Sequence, residues 1–253
     1  MSDRIVVNRD GRLGRITLRA GALNVLDTAD VRHLEQVICE LDDCAVVLLH
    51  AESDRAFCAG MEVADHLPDR APAMLEAVDR LCVAFLAASP VTVAKIGAPA
   101  IGGGLELVLL CDLAICSHRA KFSLPEITLA ALPPIACGLL AQAIGSRRAA
   151  DLILTGRTID AATAELWGIV REAVPAERLD AAASDLCQSL LSLSADALRC
   201  CKRAIRAGNV EEAVHIYIQD LVPTPDAAEG INAFLERRKP EFGRVLPAQE
   251  VAP

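Results

Sequence analysis

Two glutamates in apolar surroundings are the residues of this chain best suited to move protons. Glu106 stands in GGGLELVLL between Leu105, Leu107 and Val108, and Glu126 follows Pro125 in KFSLPEITLAALPP, a segment with no other charge until Arg147. A carboxylate in such a setting must be paired, neutral or functional, because burying an isolated charge is costly. The two lie twenty positions apart. If they converge on one water from separate elements, they meet the requirement of general acid–base addition to a double bond. For Glu106 the bland alternative is a carboxylate that complements the positive end of its own helix.

Two stretches, one of them directly before Glu106, are suited to expose backbone amides. In APAIGGGLELVLLCD an apolar strand ends, Gly102, Gly103 and Gly104 follow, and a helix begins. Residues without side chains let a ligand approach the main chain, and the helix start places partial positive charge where a negative oxygen would sit. Close helix packing or a tight turn explains three glycines equally well. RAFCAGMEV offers a second such loop, with Ala59 and Gly60 before Met61. Cys58 in that loop has no histidine nearby and reads as core packing, and His66, in VADHLPDR, reads as a solvent-facing loop residue. The five histidines are dispersed and no acidic cluster has ligand spacing, so no metal site is expected. The glycine cluster lacks the Lys and Ser/Thr of a nucleotide-phosphate loop.

The elements that must position these residues follow from periodicity. IVVNR and RITLR flank an Asp10-Gly11 turn and predict a hairpin. Val31, Leu34, Val37, Ile38 and Leu41 recur at helical spacing after Asp27 or Thr28, and AVVLLH (45–50) reads as a strand covered on both faces. The pattern recurs with a helix over about 73–88, the strand VTVAKI, the glycines, and a helix through Glu106. Short strands are expected in DLAICS and AKFSL, helices near 137–145, 147–155 and 160–166, and a strand within 168–174. Beyond Glu177 the pattern is helical to Phe234, with breaks near Ser192, Gly208 and Pro223. The change of periodicity near 175 carries no flexible linker.

Composition excludes several classes of function. Aromatic residues make up 3% of the chain and the formal charge is −9, from 25 Lys+Arg against 34 Asp+Glu, so nucleic acid is not an expected partner. The ten cysteines form no CxxC pair and sit mostly among apolar residues, as reduced core thiols do. The opening MSDRIVVNRDGRLGR has no apolar segment with a small-residue cleavage site, and a cytoplasmic location is expected. Residues 127–146 are uncharged over a length that spans a bilayer, but Pro133 and Pro134 break any such helix. A buried loop and helix is expected there, and no membrane partner.

In order along the chain, FCAG, then GGGLEL, CDLAI, KFSLPEI and TGRTIDAATAELWGIV resemble the enoyl-CoA hydratase/isomerase (crotonase) family, over a stretch from AVVLLH to AFLERRKPEF. The resemblance implies an α/β fold, a crotonase-type spiral of ββα units carrying the active site (1–175) with a C-terminal helical oligomerisation region (176–253). It implies assembly as a homotrimer or homohexamer. It also implies an acyl-CoA thioester ligand, with coenzyme A as part of the substrate and no other cofactor. By the family's pattern the amides of Met61 and Gly103 form an oxyanion hole. Ala59, Gly60, Gly102, Gly104, Pro133 and Pro134 would line the substrate, and Glu106 with Glu126 would form the pair that hydratases carry. Arg237, Arg238 and Lys239 would contact the coenzyme's phosphates, unless they are a solvated helix end.

Three positions depart from the family: AGME stands for AGAD, Lys95 for the usual Asn, and LPPIACG for a glycine-rich segment. ALNVLDTADV, VADHLPDR and the LPP turn are similar to cyclohexa-1,5-diene-1-carbonyl-CoA hydratases, which implies 6-hydroxycyclohex-1-ene-1-carbonyl-CoA as product in anaerobic aromatic degradation. A straight-chain enoyl-CoA hydratase or an isomerase on the same scaffold is the alternative. A non-catalytic acyl-CoA-binding paralogue is a third reading, which retention of both glutamates opposes.

Overall fold

In the computed structural model, which describes residues 4–243, the Asp10-Gly11 turn folds β1 (Ile5–Asp10) back on β2 (Leu13–Leu18) as an antiparallel pair, with Gly11 at φ +57°. Residues 1–3 and 244–253, the ends of the two expected regions, lie outside the described residues. Helix α1 (Thr28–Glu40) starts where Asp27 accepts the N–H groups of Ala29 and Asp30 while Asp30 accepts that of Asp27. This reciprocal cap satisfies donors that the helix leaves unpaired. Strand β3 (Val46–Ala51) runs parallel to β2, and its first four residues are buried. Helix α2 (Ala71–Ala87) turns Met74, Ala77, Val78, Leu81 and Phe85 inward. Strand β4 (Val91–Ile96) then pairs parallel to β3.

A short strand β5 (Ala100–Ile101) leads into α3 (Gly103–Leu110), followed by β6 (Leu113–Ser117) and β7 (Lys121–Ser123). Next come α4 (Pro134–Ile144), α5 (Ser146–Thr155), β8 (Ile159–Asp160), α6 (Ala161–Trp167), β9 (Glu172–Val174) and α7 (Leu179–Leu191). The main sheet has the order β1-β2-β3-β4-β6-β9 and is parallel except for the hairpin. A second sheet, β5-β7-β8, holds the segments on either side of the two glutamates.

The chain divides into two compact units between Cys187 and Gln188, inside α7. The second unit contains α8 (Ala195–Ala207), α9 (Val210–Ile216), a π-helical turn (Tyr217–Leu221) and α10 (Pro225–Leu235). Ser194, Asn209 and Thr224 cap its three α-helices, and Gly208 ends α8 in the left-handed region.

Several expectations need correction. The strand expected within 168–174 is confined to Glu172–Val174, since Gly168 at φ +87° closes α6. Helix α4 begins at Pro134, not near 137, because proline is well suited to a helix's first position. The loop before α4 is not buried: Leu129 and Leu132 are 64% and 65% exposed. Cys44, Cys58, Cys116, Cys187 and Cys200 are buried thiols as expected, but Cys39, Cys137 and Cys201 are exposed. Lys95, at the position where Asn is usual, pairs with Asp180 of α7 at 2.5 Å.

Candidate active site

The FCAG loop and the start of α3 are pressed together at Gly104. A Cβ added there would stand 2.0 Å from the Cys58 carbonyl oxygen, which already accepts the Ile101 N–H at 2.9 Å. Only a residue without a side chain fits. Gly60, at φ +100°, has Gly103 N within 3.4 Å of where its Cβ would lie, and Met61 N is 3.6 Å from the equivalent point on Gly103. The amides of Met61 and Gly103 are therefore neighbours. Leu26 donates to the Gly60 carbonyl at 3.0 Å and accepts from Glu62 N–H at 2.8 Å, which turns the intervening Met61 N–H to the other side of the strand. Gly103 is the first residue of α3, whose N–H has no acceptor within the helix.

Glu106 sits one turn into α3 and is 5% exposed. Its Oε1 accepts the N–H groups of Ile135 and Ala136 at 2.8 and 3.0 Å, two free donors at the start of α4. Burial raises its pKa to about 7; the charge of Glu126 adds to the rise and the two amides oppose it. Glu126 lies in a 3-10 turn, Pro125–Leu129, ended by Ala130 at φ +55°. Its carboxyl is also raised, chiefly by burial. Its Oε1 would lie 2.7 Å from a Cβ on Gly102, and its Oε2 is buried without a hydrogen-bond partner. Gly102 links the pair, since its carbonyl accepts the Glu106 N–H at 3.1 Å.

A cavity of about 20 Å³, enough for roughly one water, opens between Gly60, Met61, Gly103 and Glu106. Its other walls are Leu26, Val31, Cys58, Val78, Leu81, Leu107 and Ile135. Glu106 is the one carboxyl group in this lining, and Glu126 is not part of it.

The remaining expected residues serve structure in visible ways. Ala59 N–H donates to the Leu23 carbonyl at 2.9 Å. The Pro133 carbonyl accepts Cys137 N–H at 2.9 Å, which starts α4 with Pro134 in its first position. Burial pushes the Cys58 thiol up to about 12, so it is inert at neutral pH. His66 is exposed, as expected. Arg238 is held by Glu229 and Glu236 in the second unit. Among the described residues, no group of three or more His, Cys, Asp or Glu forms a metal site, and no helix is long and apolar enough to cross a membrane.

Sequence reasoning missed the amides of Ile135 and Ala136. Part of the signal was present, because two prolines before an apolar run mark a helix start whose next amides are free, but nothing in the sequence says which carboxyl they meet.

The model of the family described as enoyl-CoA hydratase/isomerase matches residues 9–245. The chain belongs to that family. It is 36% identical over 257 residues to the probable enoyl-CoA hydratase echA8 of Mycobacterium tuberculosis, covering 94% of this chain and 97% of the relative. It is 34% identical over 247 residues to the cyclohexa-1,5-dienecarbonyl-CoA hydratase of Thauera aromatica, covering 93% and 94%. The solved enoyl-CoA hydratase of Bacillus anthracis superposes with a TM-score of 0.88 at 28% identity, over 95% of this chain and 99% of that one. The crotonase-type fold expected from the resemblance is thus the fold of this family member.

The raised Glu106 carboxyl makes stability depend on pH. The folded state binds this proton more tightly than the unfolded chain, so its contribution is full below about 4.5 and is lost as pH rises through about 7. Thermal unfolding followed against pH is expected to show this fall, flattened in Glu106→Gln. An unchanged slope in the variant would remove Glu106 as its source.

Proposed function

We propose that this protein is a hydro-lyase that adds water to an α,β-unsaturated acyl-CoA thioester, with cyclohexa-1,5-diene-1-carbonyl-CoA as its substrate. The observation that carries this reading is two buried carboxyls of raised pKa, Glu106 within reach of the charge of Glu126, beside the neighbouring backbone amides of Met61 and Gly103. A group poised near neutral pH is effective in proton transfer, and fixed donors stabilise charge that develops only during reaction.

In this reading the thioester oxygen lies between the N–H groups of Met61 and Gly103. Glu106, whose ionised form is favoured by the bonds from Ile135 and Ala136, takes a proton from water as its oxygen bonds to the β carbon. Electrons pass to the thioester oxygen, forming a dienolate. Glu126 delivers a proton to the far end of the second double bond, giving 6-hydroxycyclohex-1-ene-1-carbonyl-CoA. The carbon–sulfur bond stays intact, and coenzyme A enters only as part of the substrate. The cyclic substrate is supported by the LPP turn, by VADHLPDR and by the likeness to the Thauera aromatica hydratase.

Incubation with cyclohexa-1,5-diene-1-carbonyl-CoA and with crotonyl-CoA, followed by product masses, tests the reading. Gain of one water on the cyclic thioester is expected. Gain on crotonyl-CoA alone would assign a straight-chain hydratase, an unchanged mass with a moved double bond an isomerase, and no reaction with either would sink the proposal. Homotrimeric or homohexameric assembly accompanies this reading, and light scattering measures it.

A further inference from the structure

From Gly60 onward, the loop that carries Met61 is fastened to residues 26–28 at three points, beyond the bonds that Leu23 and Asn24 make to its earlier part. Two are the backbone bonds of Leu26 to Gly60 and Glu62. The third is Asp65, whose Oδ2 accepts the Thr28 N–H at 2.9 Å and the Thr28 hydroxyl at 2.8 Å. Thr28 is the first residue of α1, so its N–H is a free donor at the positive end of a helix, a favourable place for a carboxylate. Consistent with this, the two bonds from Thr28 hold the Asp65 carboxyl below the usual carboxylate range.

Apolar burial does little for the turn just beyond Met61. Val63 and Leu67, at either end of the 3-10 turn Val63–His66, are 61% and 52% exposed. An exposed turn with so little packing is expected to shift easily unless a specific bond holds it. Asp65 supplies that bond four residues beyond Met61, and its own N–H donates back to the Glu62 carbonyl at 3.0 Å.

We propose that Asp65, through its two bonds to Thr28, is a positioning residue that fixes where the Met61 N–H points relative to that of Gly103. The role rests on the reading of those two amides as donors to the thioester oxygen. Asp65 touches no reacting atom. Its effect belongs to the transition state, because charge on that oxygen develops only there, so kcat and kcat/KM fall together while KM changes little.

Asp65→Ala is expected to lower kcat about tenfold, less than the roughly 10²-fold of a donor misplaced by a full ångström, because the two Leu26 bonds remain. Asp65→Asn, whose side-chain oxygen still accepts from Thr28, restores most of the loss. Thr28→Val keeps the N–H, loses the hydroxyl and shows a smaller loss. Hydrogen exchange of amides 61–66 is expected to quicken in Asp65→Ala and Thr28→Val, with exchange in the main sheet unchanged. With an active parent enzyme, an Asp65→Ala kcat within about twofold of it, or a loss that Asp65→Asn shares in full, overturns the proposal. A parent inert toward both thioesters refutes the hydratase reading instead, and the latch is then judged by exchange alone, where unchanged rates at 61–66 overturn it. Should Asp65→Ala fail to fold, Thr28→Val carries the exchange measurement with the same consequence.

Discussion

Glutamine in place of Glu106, or of Glu126, is expected to lower kcat by about 10²–10⁴-fold, the range that general acid–base groups contribute. The substitution is mild in every other respect. Glu106→Gln keeps an oxygen to accept from Ile135 and Ala136 and removes a buried negative charge, so the fold is expected to persist. Glu126→Gln leaves a side chain of the same shape above Gly102. Affinity for an acyl-CoA, measured by calorimetry, should remain close to that of the parent, since the groups proposed to hold the thioester are backbone amides. A variant that turns over within about tenfold of the parent would remove that glutamate from the proton-transfer pair. Intact biological function in both variants would favour a non-catalytic binding protein.

Gly104→Ala is expected to be the most damaging small substitution in the first unit. The added carbon would overlap the Cys58 carbonyl at 2.0 Å, and that oxygen is tied to Ile101 N–H. Neither partner is a flexible side-chain tip, so the FCAG loop and α3 must separate. Overpacking of this kind costs about 3 kcal/mol, which for a chain of this size lowers Tm by roughly 6–12 °C. Separation also parts the Met61 and Gly103 amides, so activity should fall beyond what the folded fraction accounts for. Gly138→Ala is the control: it lies in α4 with open space around it, and helix propensity favours alanine there. Equal melting temperatures for the two variants would contradict the close contact.

The parts of the fold that periodicity and caps dictate are readable from residues alone. Asp10-Gly11, the Asp27 cap and the apolar run of β3 each specify a local conformation without outside help. Strands β5 and β8 are different, because two residues carry no period and exist as strands only through distant partners, β7 for both and Cys58 as well for β5. The exposed loop before α4 departs from expectation for a related reason: an apolar run shows what water disfavours, not which surface covers it. The site divides in the same way. Glu106, Glu126 and the glycines stand out by type and spacing. Their holders do not, since the amides of Ile135 and Ala136, the Cys58 carbonyl and the Asp65–Thr28 bonds are long-range contacts that any sequence could have made with other residues.

The small apolar cavity also bears on chemoselectivity. A thioester whose oxygen is bound by two amides is activated at its carbonyl carbon as well as at its β carbon, and water attacking the former would release free coenzyme A and a carboxylic acid. Leu26, Val31, Val78 and Leu81 wall the space beside those amides with hydrocarbon, and Glu106 is the one carboxyl group that faces it. Under the proposed reaction, the nucleophile is thereby limited to the water that Glu106 holds, and futile hydrolysis of the energy-rich thioester is suppressed by walls that take no part in proton transfer.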